Sequence, residues 1–277
     1  MSTAAIPARD PIQTALELRA RGQLREALDA LSLPGEFPAD FYTLRGDLQL
    51  ELGQTKEAAG SYFTVVASEP DNVYAQCSLG LCLRRLERWE QAAETFQAVL
   101  KLDPHRDEVR IDLGDCLLHL NRFEEALVCF DRCWSGASRR RVLFGTAVAL
   151  HLLRRFDQAE ASYERVLALD PRAEEALSNL ITMCVEVFDL ERIQGYSRRL
   201  LDINPRSGAA LEGLALVAIE RREHENAARF FARAAELKAE IIYAAPREHG
   251  DGIIEYRLSR EVLDRLTRAG RAHAAGE

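Results

Sequence analysis

Apolar residues recur at helical spacing in two runs separated by a short break, most clearly between Val73 and Arg106. In the first run Leu79 and Leu83 lie four residues apart, and each run predicts an amphipathic helix. The second run has apolar residues at intervals of one to four, at Ala92, Phe96, Val99 and Leu100. The break at 86–89 is too short for anything but a tight turn. The segment therefore predicts a pair of antiparallel helices.

Prolines close the copies of this unit and set its period. Pro104 disfavours the helical conformation at Asp103, which predicts that the second helix ends there. Equivalent prolines stand at 70, 171 and 205, so the intervals are 34, 67 and 34 residues, and the long interval holds two copies with one residue deleted. The predicted repeats are 39–72, 73–106, 107–139, 140–173, 174–207 and 208–241, preceded by a shortened copy at 10–36.

The two ends of the chain depart from the repeat. We predict a disordered lead-in at 1–9 and a loop, a capping helix and a flexible tail within 242–277. Four apolar residues spaced four apart predict the helix: Ile254, Leu258, Val262 and Leu266. Since a stack of repeats needs a last helix with a polar outer face, a solvating cap is the first interpretation. A helix that docks a partner or inhibits the chain itself is the second.

The repeat resembles the tetratricopeptide repeat. Its period of 34 and six of its positions carry the resemblance: Leu79, Gly80, Leu83, Ala92, Phe96 and Pro104. The resemblance implies an all-α fold, a right-handed α-solenoid of about seven antiparallel helix pairs with a C-terminal capping helix. The copy at 174–207 departs, with Ile181 at the small position, Ile193 for the alanine and Ser197 for the aromatic, so we expect an altered packing angle there.

Composition and charge narrow the classes of function. Acidic residues outnumber basic ones 44 to 36, giving a net charge of −8, which argues against a nucleic-acid partner. The longest apolar run, 142–153, is too short to span a bilayer. No secretion signal is seen at the amino terminus, so we predict no membrane partner and a cytoplasmic location, with six cysteines as reduced thiols.

The sequence contains no motif for a catalytic nucleophile, a zinc protease or a phosphate-binding loop, so we predict no enzyme activity and no cofactor. Cys116, His119, Cys129 and Cys133 share one predicted helix pair and could in principle hold zinc. Because Cys116 and Cys133 occupy small-residue positions of the repeat, structural cysteines are favoured over a metal site. The basic run 139–141 is either a solvated turn or a patch for an acidic group.

The resemblance further implies that the first helix of each repeat lines a concave groove, chiefly through repeat positions 2, 5, 9, 12 and 13. The predicted partner-binding residues are Tyr74, Leu81, Arg84, Arg85, Ile111, Asp115, Leu118, Phe144, Val148, His151 and Leu152. Six of them would form an apolar strip, namely Leu81, Ile111, Leu118, Phe144, Val148 and Leu152. Nine acids against three arginines at the groove positions concentrate negative charge towards its ends.

These features favour a non-enzymatic scaffold or adaptor that binds a protein or peptide with apolar anchors and basic flanks. The alternative is a regulatory or substrate-recruiting subunit of an enzyme system whose catalysis lies in another polypeptide. The oligomeric state does not follow from the sequence.

Overall fold

The computed structural model describes residues 10–133 and 138–243, with side chains up to Ala234. Within these ranges the chain forms fourteen α-helices and no strand. Their bounds are α1 Pro11–Ala20, α2 Leu24–Ala30, α3 Ala39–Glu51, α4 Thr55–Ser68, α5 Val73–Arg85, α6 Trp89–Leu102, α7 Asp107–His119, α8 Phe123–Asp131, α9 Arg139–Leu152, α10 Phe156–Leu169, α11 Glu174–Glu186, α12 Leu190–Ile203, α13 Gly208–Glu220 and α14 His224–Tyr243.

The helices belong to two compact units, one at 1–138 with α1 to α8 and one at 139–277 with α9 to α14. Inside each unit every helix packs against its neighbour in the chain. The first helices of successive pairs also pack together, α1 on α3 in the first unit, and α9 and α13 on α11 in the second. The fold is therefore an all-α solenoid of helix pairs, as predicted.

Local signals explain where the helices begin and end. Asn72 precedes α5 and its Oδ1 accepts a hydrogen bond from the backbone N–H of Ala75 at 3.0 Å, which satisfies one of the free donors of the first turn. Asp189 and Ser207 cap α12 and α13 in the same way. At the other end, α6 stops at Leu102, two residues before Pro104.

The turn between the two helices of a pair places one residue in the left-handed region. A glycine holds this position in the first two pairs, Gly22 with φ of 76° and Gly53 with φ of 75°. From Gly53 onwards the equivalent residues are spaced 33 or 34 apart, at Glu87, Asn121, Arg154, Phe188 and Arg222, with φ between 58° and 61°. One backbone turn is thus repeated through the described helix pairs, although only two of these seven positions hold the glycine that the conformation favours.

Aromatic rings of second helices pack directly on the backbone of first helices. A Cβ atom on Gly46 would lie 2.8 Å from Tyr62, and one on Gly114 would lie 2.6 Å from Phe130. Tyr62 and Phe130 are almost fully buried. The glycine and the aromatic residue of a repeat are therefore one packing unit, which explains why both recur in the sequence.

The pair α11–α12 reverses this arrangement. Ile181 stands at the small position and Ser197 at the aromatic position, and both are buried. The two side chains meet near Gly213 of the next pair, where a Cβ atom would lie 2.5 Å from Ser197 Oγ and 3.1 Å from Ile181 Cγ2. In this pair the large side chain, Ile181, stands on the first helix and the small one, Ser197, on the second, so a helix pair still forms without the aromatic residue. The altered packing angle stays a prediction.

The predicted lead-in at 1–9 and the predicted helix at 253–269 lie outside the described residues. Among the residues that are described, none of the helices has both the length and the apolar content needed to cross a membrane.

Candidate functional site

The first-helix face of the first unit is the surface formed by α1, α3, α5 and α7. On α3, near the start of this surface, the carboxylate of Asp47 fixes the position of two tyrosine side chains. Asp47 Oδ1 accepts hydrogen bonds from the hydroxyls of Tyr62 at 2.6 Å and Tyr74 at 2.7 Å. The two rings meet edge to face, with centroids 6.5 Å apart. Tyr74 is 55% exposed, so this network holds an aromatic ring at the surface in one orientation.

The network also changes the acidity of the two phenols. Burial, reinforced by the hydrogen bond to Asp47 and by its charge, raises the pKa of Tyr62 far above the usual range. The same causes raise the pKa of Tyr74. Both hydroxyls therefore stay protonated at neutral pH and act as hydrogen-bond donors to Asp47.

Arginines at one repeat position pair with acids of the following repeat. Arg19 of α1 lies 3.9 Å from Asp47 and also pairs with Glu51. Arg84 of α5 lies 3.7 Å from Asp112 and 3.8 Å from Asp115 of α7. These ion pairs join successive first helices and neutralise much of the acidic charge that the sequence places on this face.

The structure sorts the predicted partner-binding residues of this unit by exposure. Tyr74, Leu81 and Arg85 are exposed, with Leu81 at 37%, and Arg84 and Asp115 are half-buried in their ion pair. The remaining two, Ile111 and Leu118, are buried. The surface available to a partner therefore centres on Tyr74 and Leu81, which lie seven residues apart on one side of α5.

The first-helix face of the second unit is formed by α9, α11 and α13. Of the predicted residues, Phe144 and Leu152 are half-buried, whereas Val148 and His151 are buried. The ring of Phe144 lies edge-on to that of Tyr163, with centroids 6.0 Å apart. His151 Nε2 is 3.1 Å from Glu186 Oε1, so its polar atom is used inside the chain.

Two expectations from the sequence need correction. The exposed apolar strip is narrower than predicted, because Ile111, Leu118 and Val148 are covered by the chain itself. The groove positions also carry less unpaired negative charge than their count of acids suggests. Five of the nine acids take part in ion pairs within the chain: Asp47, Glu51, Asp115, Glu175 and Glu186.

Two residues that the repeat pattern did not indicate help to position the side chains of this surface. Arg19 lies in the shortened first copy, and Tyr62 lies in a second helix, yet both reach Asp47. The spacing of charges in the sequence could have indicated the ion pairs, since oppositely charged residues stand 28 apart at Arg19 and Asp47 and again at Arg84 and Asp112. Spacing slightly shorter than the repeat is what a contact between successive first helices produces.

The candidate metal residues have other roles. His119 stacks flat on Trp89, with centroids 3.8 Å apart, and desolvation lowers its pKa. Burial raises the pKa of Cys129 to about 11 and also raises that of Cys133, whose Sγ donates to the backbone oxygen of Cys129 at 3.3 Å. In the described ranges no group of three or more His, Cys, Asp or Glu residues is placed to hold a metal ion.

Arg140 of the basic run 139–141 also pairs within the chain. Its Nε lies 3.4 Å from Asp170 and its Nη2 lies 3.4 Å from Glu175. At this arginine the run links α9 to its neighbours, which favours the structural interpretation over an anion-binding patch.

Comparison with family models identifies the repeat. Two models, each described as tetratricopeptide repeat, match this chain, one at 83–133 and the other at 43–107 and 135–182. Together they cover about half of the chain. A comparison with curated proteins finds no match.

Solved structures share the fold at low sequence identity. A tetratricopeptide repeat protein from Parabacteroides merdae is 16% identical, with a TM-score of 0.61 over 94% of this chain and 97% of that chain. PilW, a widely conserved type IV pilus biogenesis factor, is 19% identical, with a TM-score of 0.62 over 76% of this chain and 97% of that one. YrrB, a repeat protein with an unusual peptide-binding site, is 18% identical, with a TM-score of 0.57 over 74% and 97%.

Proposed function

Because the chain belongs to the tetratricopeptide repeat family, a family of protein-interaction modules, we propose that it is a non-enzymatic scaffold or adaptor. It binds a segment of a partner protein on the first-helix face of the first unit. One observation carries this proposal: Tyr74 is exposed while its hydroxyl is fixed on Asp47 at 2.7 Å. An aromatic side chain held in one rotamer contributes binding area at a low cost in conformational entropy.

The partner segment offers an apolar anchor to the surface between Tyr74 and Leu81. Both side chains are exposed, and their separation of seven residues corresponds to two helical turns, about 10 Å. An extended or helical segment can place two apolar side chains at that distance. A basic residue beside the apolar anchor would contribute little to binding here, because it competes with Arg19 for Asp47 and Glu51.

A regulatory or substrate-recruiting subunit is the second candidate. It uses the same surface and differs only in the identity of the partner, which would then be a catalytic polypeptide. We keep a cytoplasmic location in the proposal, because the six cysteines are free and free thiols persist in reducing compartments.

A peptide-display selection on the full chain tests the proposal. A random library is selected on the wild-type chain and, in parallel, on the Tyr74→Ala, Leu81→Asp double variant. We expect enriched peptides with one or two apolar anchors on the wild type and loss of that enrichment on the variant. Equal enrichment of the same peptides on both proteins would contradict the proposal, provided that circular dichroism shows the variant to be folded.

A further inference from the structure

One exposed side of α4, the second helix of its pair, carries no charged residue. It consists of four exposed residues at helical intervals of three and four: Gly60, Phe63, Thr64 and Ala67. We call this surface the α4 stripe. Phe63 is 64% exposed, more than any other large apolar side chain in the described part of the chain. An exposed aromatic ring on an uncharged surface is typical of a contact site for another protein.

The start of the α4 stripe is open. A Cβ atom built on Gly60 would meet no neighbouring group within 4 Å. The hydroxyl of Thr64 donates to the backbone oxygen of Gly60 at 3.1 Å, so this polar atom is already satisfied within the helix. The stripe therefore offers an apolar surface whose one hydroxyl needs no further partner.

The corresponding positions of the later second helices are charged. The charged residues are Glu94 and Lys101 in α6, Asp131 and Arg132 at the end of α8, Glu164 and Arg165 in α10, Arg198, Arg199 and Asp202 in α12, and Arg229, Arg233 and Glu236 in α14. Charged residues are the usual occupants of the solvent side of a surface helix. The uncharged stripe is therefore a departure of α4 from the repeat, and solvation alone does not account for it.

The α4 stripe is complementary in shape to a second copy of itself. In an antiparallel pair of α4 helices, a two-fold axis between residues 63 and 64 brings Gly60 of one copy opposite Ala67 of the other. The same axis brings Phe63 opposite Thr64, so each ring meets a smaller side chain and the two rings do not collide. A two-fold contact of this kind uses the same surface on both copies.

The charges of α6 agree with the same axis. Glu94 and Lys101 are exposed and stand 34 residues after Gly60 and Ala67, so they hold the corresponding positions on the next second helix. The axis places Glu94 of each copy on the side of Lys101 of the other, twice in each dimer. A parallel pair would instead place like charges together. The charges therefore favour a second copy in the antiparallel orientation.

We propose that the α4 stripe is the interface of an antiparallel homodimer, in which the α4 stripe of a second copy of this chain occupies it. With its 14 residues, α4 is about 21 Å long and about 10 Å wide. Such a contact is smaller than the roughly 800 Å² per partner of a standard interface, so the dimer is weak and forms at micromolar concentrations.

The dimer gives the protein two binding faces. The contact involves second helices, whereas Tyr74 and Leu81 lie on the first helix α5. Each dimer therefore presents two first-helix faces, and a partner with two matching segments gains affinity from binding both. This gain rests on the proposed function, but the dimer itself does not.

Sedimentation equilibrium of the full chain, from low to high micromolar concentrations, tests the inference. We expect the wild-type chain to pass from monomer to dimer. Phe63→Asp should weaken the association by about tenfold or more, because it places a charge at the centre of the contact. The control Leu169→Asp changes an exposed apolar residue of α10 in the second unit and should associate as the wild type does. Circular dichroism checks that each variant is folded.

A charge exchange tests the orientation and keeps the inference testable should Phe63→Asp not fold. Glu94→Lys alone should weaken the dimer by about threefold or more, because two lysines then face each other at both ends of the contact. The double variant Glu94→Lys, Lys101→Glu has the net charge of the wild type and restores the opposite charges in exchanged positions. Its affinity should return to within about twofold of the wild type.

Three results would overturn the inference. The first is a wild-type chain that stays monomeric at every concentration, which would leave the α4 stripe to a different protein. The second is a dimer that Phe63→Asp does not weaken, which would place the contact elsewhere. The third is a double charge variant that associates no better than Glu94→Lys, which would show that Glu94 and Lys101 do not face each other across a two-fold axis.

Discussion

The ring of Phe96 lies against the backbone of Gly80, so close that a Cβ atom there would come within 2.5 Å of Cε1. Phe96 is fully buried, and the same relationship joins the glycine and the aromatic residue of the neighbouring pairs. The width of the pairs α3–α4, α5–α6 and α7–α8 is thus set by a contact between a ring and a main chain.

We therefore expect Gly80→Ala to destabilise the protein by about 1–3 kcal/mol, because the added methyl overpacks a filled site. Urea unfolding followed by circular dichroism measures the change. The control is Gly60→Ala on α4, where a Cβ atom meets nothing within 4 Å. This variant should gain up to about 1 kcal/mol from helix propensity. Equal midpoints for the two variants would contradict the packing account.

The exchange of bulk in the pair α11–α12 predicts strong coupling between two positions. Ser197→Phe alone should cost about 1–3 kcal/mol, because Ile181 fills the space that a ring would need. Ile181→Ala alone should cost about 2–5 kcal/mol through the cavity it leaves. The double variant gives the combination present in Ala215 and Phe231, so it should be more stable than the sum of the two changes predicts.

A double-mutant cycle of urea unfolding measures this coupling. We expect an interaction free energy of at least about 1 kcal/mol in favour of the double variant. Additivity within about 0.5 kcal/mol would show that the two side chains do not share one space.

The repeated left-handed turn predicts opposite effects at equivalent positions. Glu87 has a φ of 58°, so Glu87→Gly should stabilise the chain by up to about 1 kcal/mol. Gly53, with a φ of 75°, should lose about 1–2 kcal/mol when changed to alanine. Thermal unfolding measures both changes. As a control, Glu94→Gly at an exposed helical position should destabilise by about 1 kcal/mol. Stabilisation by Glu94→Gly equal to that by Glu87→Gly would contradict the assignment.

Buried phenols and thiols predict loss of stability at alkaline pH. The pKa of Tyr62 is raised in the folded chain by burial and by Asp47, and burial raises the pKa of Cys184 to about 12. The unfolded chain releases these protons first, at pH of about 8.5 for Cys and 10 for Tyr. The contribution of these groups to the free energy of unfolding is therefore fully present below about pH 8.5 and is lost as the pH rises above it.

Urea midpoints at pH 7, 9 and 10.5 under reducing conditions measure this fall. Asp47→Asn removes one cause of the raised pKa of Tyr62, so the decline above pH 10 should be shallower than in the wild type. Asp202→Asn, at an exposed site on α12, is the control and should keep the wild-type slope. A wild-type midpoint that does not change up to pH 10.5 would contradict the predicted linkage.

The helices and the repeat were predictable because both depend on local sequence. The spacing of apolar residues and the position of Pro104 were enough to place α5 and α6. The exposure of the first-helix face was not predictable in the same way. Val148 and Leu81 occupy the same groove position of different repeats, yet Val148 is buried and Leu81 is 37% exposed, so the repeat position alone does not determine exposure.

Charge on the site was misjudged for a related reason. Counting Asp47 and Asp115 as free acids ignores Arg19 and Arg84, which come from other repeats and reach them only in the folded chain. The network of Tyr62, Tyr74 and Asp47 likewise joins residues of three helices. Local patterns predict the scaffold of this protein, whereas contacts between repeats determine its surface.

Isothermal titration calorimetry with a peptide selected on the full chain tests the central claim most directly. We predict that Tyr74→Ala weakens binding by at least tenfold and that Leu81→Asp abolishes it. Two control variants, Phe63→Ala on α4 and Leu102→Asp on α6, change exposed apolar residues of second helices and should bind as the wild type does. Unchanged affinity in the Tyr74 and Leu81 variants, or an equal loss in the controls, would contradict binding on the first-helix face.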